Sequence, residues 1–170
     1  AQYQVVTLAD PTAPRFARLP FSRLEARSVE AAVPPGTART FLGTDATPEA
    51  ALRASGHILH LAAHSILNTQ YPERTEIVLS GSSLRLRQIL QARLAPELVV
   101  LSACQTALGK EMRREGLLSL TRAFQLAGAR RVVSSLWKID DRATAELMKH
   151  FYAGMFQHKL PPDAALHEAQ

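Results

Sequence analysis

Short runs of apolar residues alternate along the chain with stretches that carry apolar residues at helical spacing. The runs predict strands at Tyr3–Leu8, Thr37–Leu42, Ile58–Ala63, Leu98–Leu101 and within Arg131–Trp137. Strands that are apolar on both faces and alternate with helices are typical of a mostly parallel sheet covered by helices on both sides. We therefore predict an α/β fold in which residues 1–170 form one domain, and we expect that domain to belong to a longer protein.

Several residues mark where the helices should begin and end. Ser22 and Glu25 have the spacing of a capping box, and Thr47 stands before Pro48, a residue tolerated at the first helical position. Gly128 is a suitable helix stop, and Pro161-Pro162 separates two later helices. The polar and charged stretches Asn68–Arg74 and Gly109–Glu115 are predicted to be surface loops, and we take both as candidates for activation loops.

Two of the predicted strands end in residues with reactive side chains. His64 follows the run at Ile58–Ala63, and Cys104, the only cysteine in the chain, follows Leu98–Leu101. The 40 positions between them allow one crossover between parallel strands. If the two strands are neighbours, both side chains emerge at the same edge of the sheet. A histidine beside a cysteine is a minimal pair of base and nucleophile, whereas a lone cysteine is more often a small buried apolar residue.

The amino-acid composition disfavours several classes of function. The hydrophobic and charged fractions, 46% and 21%, are ordinary for a soluble domain, and one cysteine excludes an internal disulfide. A single cysteine fits a reducing compartment, so we expect a cytoplasmic setting. We expect no membrane partner, since no apolar run approaches the length of a membrane span. The net charge is +5, but the arginines are spread out and 6% of residues are aromatic. That pattern disfavours nucleic-acid binding, which usually shows a clustered basic stripe.

No cofactor or metal is expected. The glycine-rich phosphate loops GxxxxGK[ST] and GxGxxG are both absent. His57, His60 and His64 could be interpreted as metal ligands, but His57 and His60 should point to opposite faces of a strand. With no second cysteine and no HExxH motif, a metal site is disfavoured. The remaining histidines, His150, His158 and His167, are predicted to lie on the surface.

Three segments occur in order along the chain: HLAAHS, LVVLSACQTALG and GLLSLTRAFQLAGARRVVSSLWKIDD. Together they resemble the CHAT family, bacterial caspase-like domains often found beside tetratricopeptide repeats, and the resemblance extends over nearly the whole chain. It implies a caspase–hemoglobinase fold, a three-layer α/β/α sandwich. It also implies a cysteine-peptidase site with a His–Cys dyad, similar to that of caspases and separases, which falls on His64 and Cys104 here.

The resemblance also implies how the oxyanion is bound. The backbone N–H groups of Cys104 and of the residue after the histidine would serve as donors. That residue is usually glycine in the family, and it is Ser65 in this chain. Serine still has an N–H, but a turn with positive φ at this position would strain it.

Asp140 and Asp141 have two interpretations. One aspartate should cap the helix that follows, where the helix dipole also favours a second acid. The LW-x-x-x-D stretch is also similar to separases, and that resemblance implies that Asp141 helps select a basic side chain before the cut bond. Both interpretations can hold at once, with one aspartate capping and the other binding substrate. Trp137 could floor such a pocket, although a tryptophan at a strand end is more often part of the core.

The sequence thus leads to two main hypotheses. The first is a cysteine endopeptidase that acts on a protein or peptide substrate, with a tetratricopeptide-repeat region in the same chain or in a partner. Cleavage after a basic residue is the specificity that the resemblance to separases implies. The alternative is a catalytically weak or inactive caspase-like module that acts in regulation or protein assembly.

Overall fold

A central sheet of five parallel strands organises the molecule. In the computed structural model, which describes residues 3–68, 70–102, 110–135 and 140–170, the order is β2-β1-β3-β7-β8. These strands are β1 (Tyr3–Pro11), β2 (Ala38–Gly43), β3 (Gly56–Ala62), β7 (Leu98–Leu101) and β8 (Arg131–Ser134). All four pairings between neighbours are parallel. The predicted parallel sheet is therefore confirmed, with β1, β3 and β7 in its interior.

Helices cover both faces of this sheet. One face packs against α1 (Pro20–Ala32), α5 (Asp141–Phe156) and α6 (Pro162–Ala169), and the other against α2 (Pro48–Leu52), α3 (Leu86–Gln91) and α4 (Lys110–Leu126). Strand residues alternate between the two cores, as the two-residue period requires. Val100 packs on the α5 side, and Val99 and Leu101 pack on the α4 side. This is the three-layer α/β/α sandwich expected of a caspase-like domain.

A small antiparallel sheet lies beside the carboxyl end of β3. It contains β4 (Ser65–Ile66), β5 (Glu76–Val78) and β6 (Ser83–Arg85) in the order β4-β5-β6. Strands β5 and β6 form a hairpin, and Gly81 in its turn has φ +79°. The two-residue strand β4 has too short a pattern to be recognised in the sequence. It directly follows His64, so the small sheet borders the candidate site.

The predicted capping box at Ser22 is wrong. Helix α1 begins two residues earlier, at Pro20, and its N-cap residue Leu19 makes no side-chain hydrogen bond. Ser22 instead donates its hydroxyl to the Leu19 carbonyl, and Glu25 points into the protein with 1% of its surface exposed. The spacing of Ser22 and Glu25 is correct for a capping box. Both side chains are instead buried against the rest of the protein, so the box does not form. By contrast, Thr47 caps α2 through the Ala50 N–H as predicted.

The loop predicted at Gly109–Glu115 is also wrong from Lys110 onward, and Gly109 lies outside the described residues. The backbone is helical from Lys110 onward, and α4 continues to Leu126. Lysine, glutamate, methionine and arginine all favour helices, so the local propensity is sufficient to explain the earlier start. Gly128 ends this helical region with φ +113°, as expected for a C-terminal stop.

Glu25 belongs to a buried polar cluster between α1, β3 and α5. His60 Nδ1 lies 2.9 Å from the Tyr152 hydroxyl. His60 Nε2 lies 2.8 Å from Oε1 of Glu25, at ion-pair distance, although the approach lacks the direction of a regular hydrogen bond. The side chains of His60 and Glu25 are 0% and 1% exposed. Burial raises the pKa of Tyr152 well above its ordinary value, and Glu25 raises it further, so the phenol stays protonated. The cluster ties two helices to the sheet.

We expect Tyr152→Phe to destabilise the fold by about 1–3 kcal/mol, because it leaves a buried histidine nitrogen without a partner. Chemical denaturation measures the change. Tyr71→Phe is the matched control, since Tyr71 is 43% exposed and its loss should stay within about 0.5 kcal/mol. Equal effects of the two substitutions would contradict a structural role for the hydroxyl of Tyr152.

Candidate active site

The candidate site lies at the carboxyl edge of the parallel sheet, where β3 and β7 end. These two strands are neighbours, and Leu61 pairs with Leu101 in their register. His64 follows Leu61 by three positions, and Cys104 follows Leu101 by the same number. The pairing confirms the expectation that the histidine strand and the cysteine strand are adjacent and parallel. Cys104 itself lies outside the described residues, as does Trp137.

His64 is held at this edge by the connection between β1 and α1, residues 12–19. Its Nε2 atom lies 2.7 Å from the Ala17 carbonyl oxygen. Because a carbonyl can only accept a hydrogen bond, Nε2 must carry the proton. The Phe16 ring packs against the imidazole with 5.7 Å between ring centroids. His64 is consequently 5% exposed, and its ring orientation and tautomer are both fixed by its neighbours.

The second ring nitrogen of His64 is left with its lone pair. Nδ1 is buried and has no hydrogen-bond partner among the residues that the structure describes. A buried polar atom without a partner is uncommon in proteins and calls for a physical explanation. The tautomer set by Ala17 makes Nδ1 the basic nitrogen, so this atom can accept a proton from a group brought next to it.

Ser65 occupies the position after the histidine without backbone strain. Among the described residues, the non-glycine positions with positive φ are Asp10, Ala95 and Lys159, and Ser65 is not one of them. The concern that serine might strain this turn is therefore not supported.

The N–H of Ser65 is not used by the small sheet. Val78 donates its N–H to the His64 carbonyl over 2.8 Å, which places Ser65 and Ile77 in a non-hydrogen-bonded pair. In such a pair the Ser65 N–H points away from β5. Strand β4 is an edge strand of this sheet in the described part of the chain, so that N–H faces the open edge.

The two aspartates have different surroundings. Asp140 caps α5, since its Oδ1 accepts hydrogen bonds from the N–H groups of Arg142 and Ala143, each over 3.1 Å. Asp141 reaches the start of α1, where its Oδ2 accepts the Phe21 N–H over 3.1 Å. The prediction that one aspartate caps this helix is confirmed, and the cap is Asp140.

Asp141 lies close enough to His64 for its carboxylate to interact with the imidazole whenever that ring is protonated. Burial raises the pKa of Asp141, the Phe21 N–H opposes that shift, and the negative charges of Glu25 and Asp140 add to it. His64 acts in the opposite direction and lowers the pKa of Asp141. The net result is a raised pKa for Asp141. Its ionised carboxylate would therefore be stabilised by a positive charge placed beside it.

A groove of about 500 Å³ runs beside His64, between the β1–α1 connection and the small sheet. Phe16, which touches the imidazole, and Val78, which hydrogen-bonds the His64 backbone, both line it. Its other walls include Pro14, Ile66 and Glu76. A surface depression of mixed apolar and polar character therefore lies next to residues that contact His64, although His64 itself does not line it.

Nothing in the described residues forms a metal centre, since no cluster of three or more histidine, cysteine, aspartate or glutamate side chains there could hold an ion. His60 points into the core, while His150, His158 and His167 are exposed. No helix within the described ranges has the length and apolar character that crossing a membrane requires.

Several residues that shape the site have no recognisable signal in the sequence. Ala17 acts through a backbone carbonyl, which any residue could supply, and Phe16 lies in an irregular segment without a motif. Asp10 and Arg18 lie eight positions apart and form an ion pair that no local pattern predicts.

We expect Asp141→Asn to stabilise the fold at neutral pH by less than about 1 kcal/mol, a limit set by the solvent exposure of the group. A raised pKa means that ionisation disfavours the folded state, so wild-type stability falls as the pH rises from the ordinary value of 3.8 through the folded-state value. The advantage of the variant should therefore vanish below pH 3.8. Denaturation curves over a pH series measure it, with Asp163→Asn as an exposed control. A variant that is less stable at neutral pH would contradict this assignment.

Comparison with known proteins identifies the family. The chain is 37% identical over 98 residues to the mouse protein "Tetratricopeptide repeat protein 28" and 34% identical over 98 residues to the human protein of that name. Each alignment covers 58% of this chain and 4% of the relative, so the chain spans a small part of those proteins. Both relatives are mammalian and give no support to the expected bacterial origin. The sequence profile of the CHAT domain matches residues 1–170, and the chain belongs to that family, a family of caspase-like modules.

Proposed function

We propose that this caspase-like domain is a cysteine endopeptidase that uses His64 and Cys104 as a dyad. The observation that carries the proposal is the register of β3 and β7, in which both residues follow paired leucines by three positions. Parallel strands end at the same edge of a sheet, and reactive groups of α/β proteins collect there. The printed names of the relatives also favour a tetratricopeptide-repeat region in the same chain or in a partner.

The surroundings of His64 are suited to proton transfer during peptide hydrolysis. Peptide hydrolysis by a cysteine needs a group that takes the thiol proton and later gives it to the leaving amine. In the tautomer that the Ala17 carbonyl selects, Nδ1 of His64 carries a lone pair that no described residue binds. The thiolate of Cys104 would then attack the carbonyl carbon of the scissile bond. The amine would leave with the proton from His64, and water would hydrolyse the acyl-enzyme in the second half of the reaction.

The oxyanion formed in each half-reaction needs donors that are already in place. The N–H of Ser65 is directed away from the small sheet and is not consumed by its ladder. We propose it as one donor and the N–H of Cys104 as the other. The groove next to Phe16 and Val78 is our candidate for the surface that binds an extended peptide.

Asp141 is our candidate for the residue that selects a basic side chain before the cut bond. Its carboxylate is half-buried, lies near His64 and has a raised pKa, so a substrate arginine or lysine would relieve an unfavourable charge. Asp140 uses its carboxylate to cap α5 and is the less suitable of the two.

Activation of the thiol is the first test. Cys104 is the only cysteine, so the rate of labelling by a thiol reagent reports on it alone. We expect His64→Ala to slow labelling at pH 7 by about tenfold or more, because an unactivated thiol is mostly protonated there. His57→Ala is the matched control, since His57 lies at the other end of the same strand and should leave the rate unchanged. Equal rates in wild type and His64→Ala would overturn the dyad and leave a regulatory module as the better interpretation.

Cleavage of fluorogenic peptides ending in Arg, Lys, Asp, Asn or Leu is the second test. We expect cleavage after Arg and Lys, and a loss of about tenfold or more in kcat/KM for Asp141→Asn, since a charge-assisted hydrogen bond contributes about 1.5–3 kcal/mol. Asp140→Asn should retain the preference, because asparagine caps helices as well as aspartate does. A preference that Asp141→Asn leaves intact would remove Asp141 from the specificity pocket.

A further inference from the structure

Asp10 is a buried carboxylate at the same edge of the sheet as His64. Residue Ala9 pairs with Ala62 of β3, so Asp10 lies at the end of β1 beside the end of the histidine strand. Its side chain is 1% exposed and its backbone has φ +44°, an uncommon conformation for a residue other than glycine. A buried charge and a left-handed backbone at one residue indicate that the surrounding structure holds it firmly in place.

Two arginines neutralise Asp10. Arg18 donates from Nε over 2.9 Å and from Nη2 to the second oxygen, in a two-pronged contact, and Arg23 donates from its Nε. Burial alone would raise the pKa of Asp10, but the hydrogen bonds from both arginines outweigh it, and the pKa lies below the ordinary value of 3.8. The carboxylate is therefore ionised at neutral pH and fixes both guanidinium groups.

The contact with Arg18 has a direct consequence for His64. Arg18 follows Ala17, so the Ala17 carbonyl and the Arg18 N–H belong to one planar peptide group. That carbonyl is the group that accepts the proton of His64 Nε2 over 2.7 Å. Anchoring the side chain of Arg18 therefore restricts the rotation of the peptide group that orients the imidazole. Phe16, which directly precedes Ala17, packs against the same imidazole ring.

Arg23 differs from Arg18 in this respect. It binds the same carboxylate, but it lies within α1, where the helix already fixes its backbone. It shares no peptide group with Ala17. The side chains of Arg18 and Arg23 are 61% and 43% exposed, so both can be replaced without opening a cavity in the core. Both arginines neutralise Asp10, but only Arg18 is joined to the peptide group that contacts His64. Replacing each arginine in turn therefore distinguishes the two effects.

We propose that Asp10 is a positioning residue for His64. By binding Arg18, Asp10 keeps the Ala17 carbonyl in place to accept the hydrogen bond from Nε2 of His64. That hydrogen bond leaves Nδ1 as the basic nitrogen. The consequence for catalysis rests on the proposed peptidase function, whereas the tautomer is a property of the folded chain and can be measured without substrate.

The test uses nitrogen-15 NMR of the histidine rings in the wild-type protein and in Arg18→Gln and Arg23→Gln. In the wild type we expect a pyridine-like Nδ1 signal and a pyrrole-like Nε2 signal for His64. Arg18→Gln should move both signals toward intermediate values, as the two tautomers become mixed, and should speed exchange of the Nε2 proton with water. Arg23→Gln should leave the His64 signals unchanged while lowering thermal stability to a similar extent.

Two outcomes overturn the proposal: unchanged His64 signals in Arg18→Gln, or equal changes in the two arginine variants. Asp10→Asn provides a second check wherever it folds, and it should reproduce the changes seen for Arg18→Gln. In the peptide assay Arg18→Gln should lose about tenfold or more in kcat/KM, because a correctly held general base is worth about 10²–10⁴-fold. A changed tautomer in a protein without peptidase activity would contradict the proposed function alone. An unchanged tautomer in an active peptidase would contradict the role of Asp10 alone.

Discussion

The parallel pairing of β3 with β7 is the constraint on which the rest of the structure depends. It places Leu61 opposite Leu101 and so brings the ends of the two strands to one edge of the sheet. Both strands are buried on both faces, and a slip of one position would turn core residues such as Leu59 and Val99 to the opposite core. Packing on the two faces therefore fixes the register, and the register fixes which residues leave the sheet together. The candidate chemistry at this edge is a consequence of how the core is packed.

His60 lies within β3 and His64 lies just beyond its end, and their positions determine how each histidine side chain is used. His60 points into the core, where Tyr152 of α5 and Glu25 of α1 lie 2.9 and 2.8 Å from its two nitrogens, and it acts as part of the scaffold. His64 lies just beyond the strand, where a backbone carbonyl binds one nitrogen and the other has no partner within the described ranges. His60 therefore has a polar neighbour at each nitrogen, whereas His64 has one nitrogen available, as a proton-transfer site requires. Glu25 links the two regions, because its charge also acts on the pKa of Asp141.

Sequence patterns predicted the parts of the fold that depend on local chemistry. The cap at Thr47 and the stop at Gly128 follow from short-range signals. The adjacency of the histidine and cysteine strands was expected from the length of the crossover between two buried strands. The capping box at Ser22 failed because burial of Ser22 and Glu25 outweighs their local preference. The contacts around His64 could not be predicted, because the Ala17 carbonyl has no sequence signature and the Asp10–Arg18 pair forms through tertiary structure. Side-chain patterns reveal which groups can react, but the groups that orient them are often backbone atoms.

An experimental crystal structure that shows both Cys104 and His64 tests the central claim most directly. The quantity to measure is the distance between the Cys104 sulfur and Nδ1 of His64, together with the direction of each toward the groove. The account predicts a distance near hydrogen-bond reach, about 2.6–3.2 Å or somewhat longer in the free enzyme, with both atoms facing the same depression. A sulfur that points into either core, or to the opposite edge of the sheet, would contradict it.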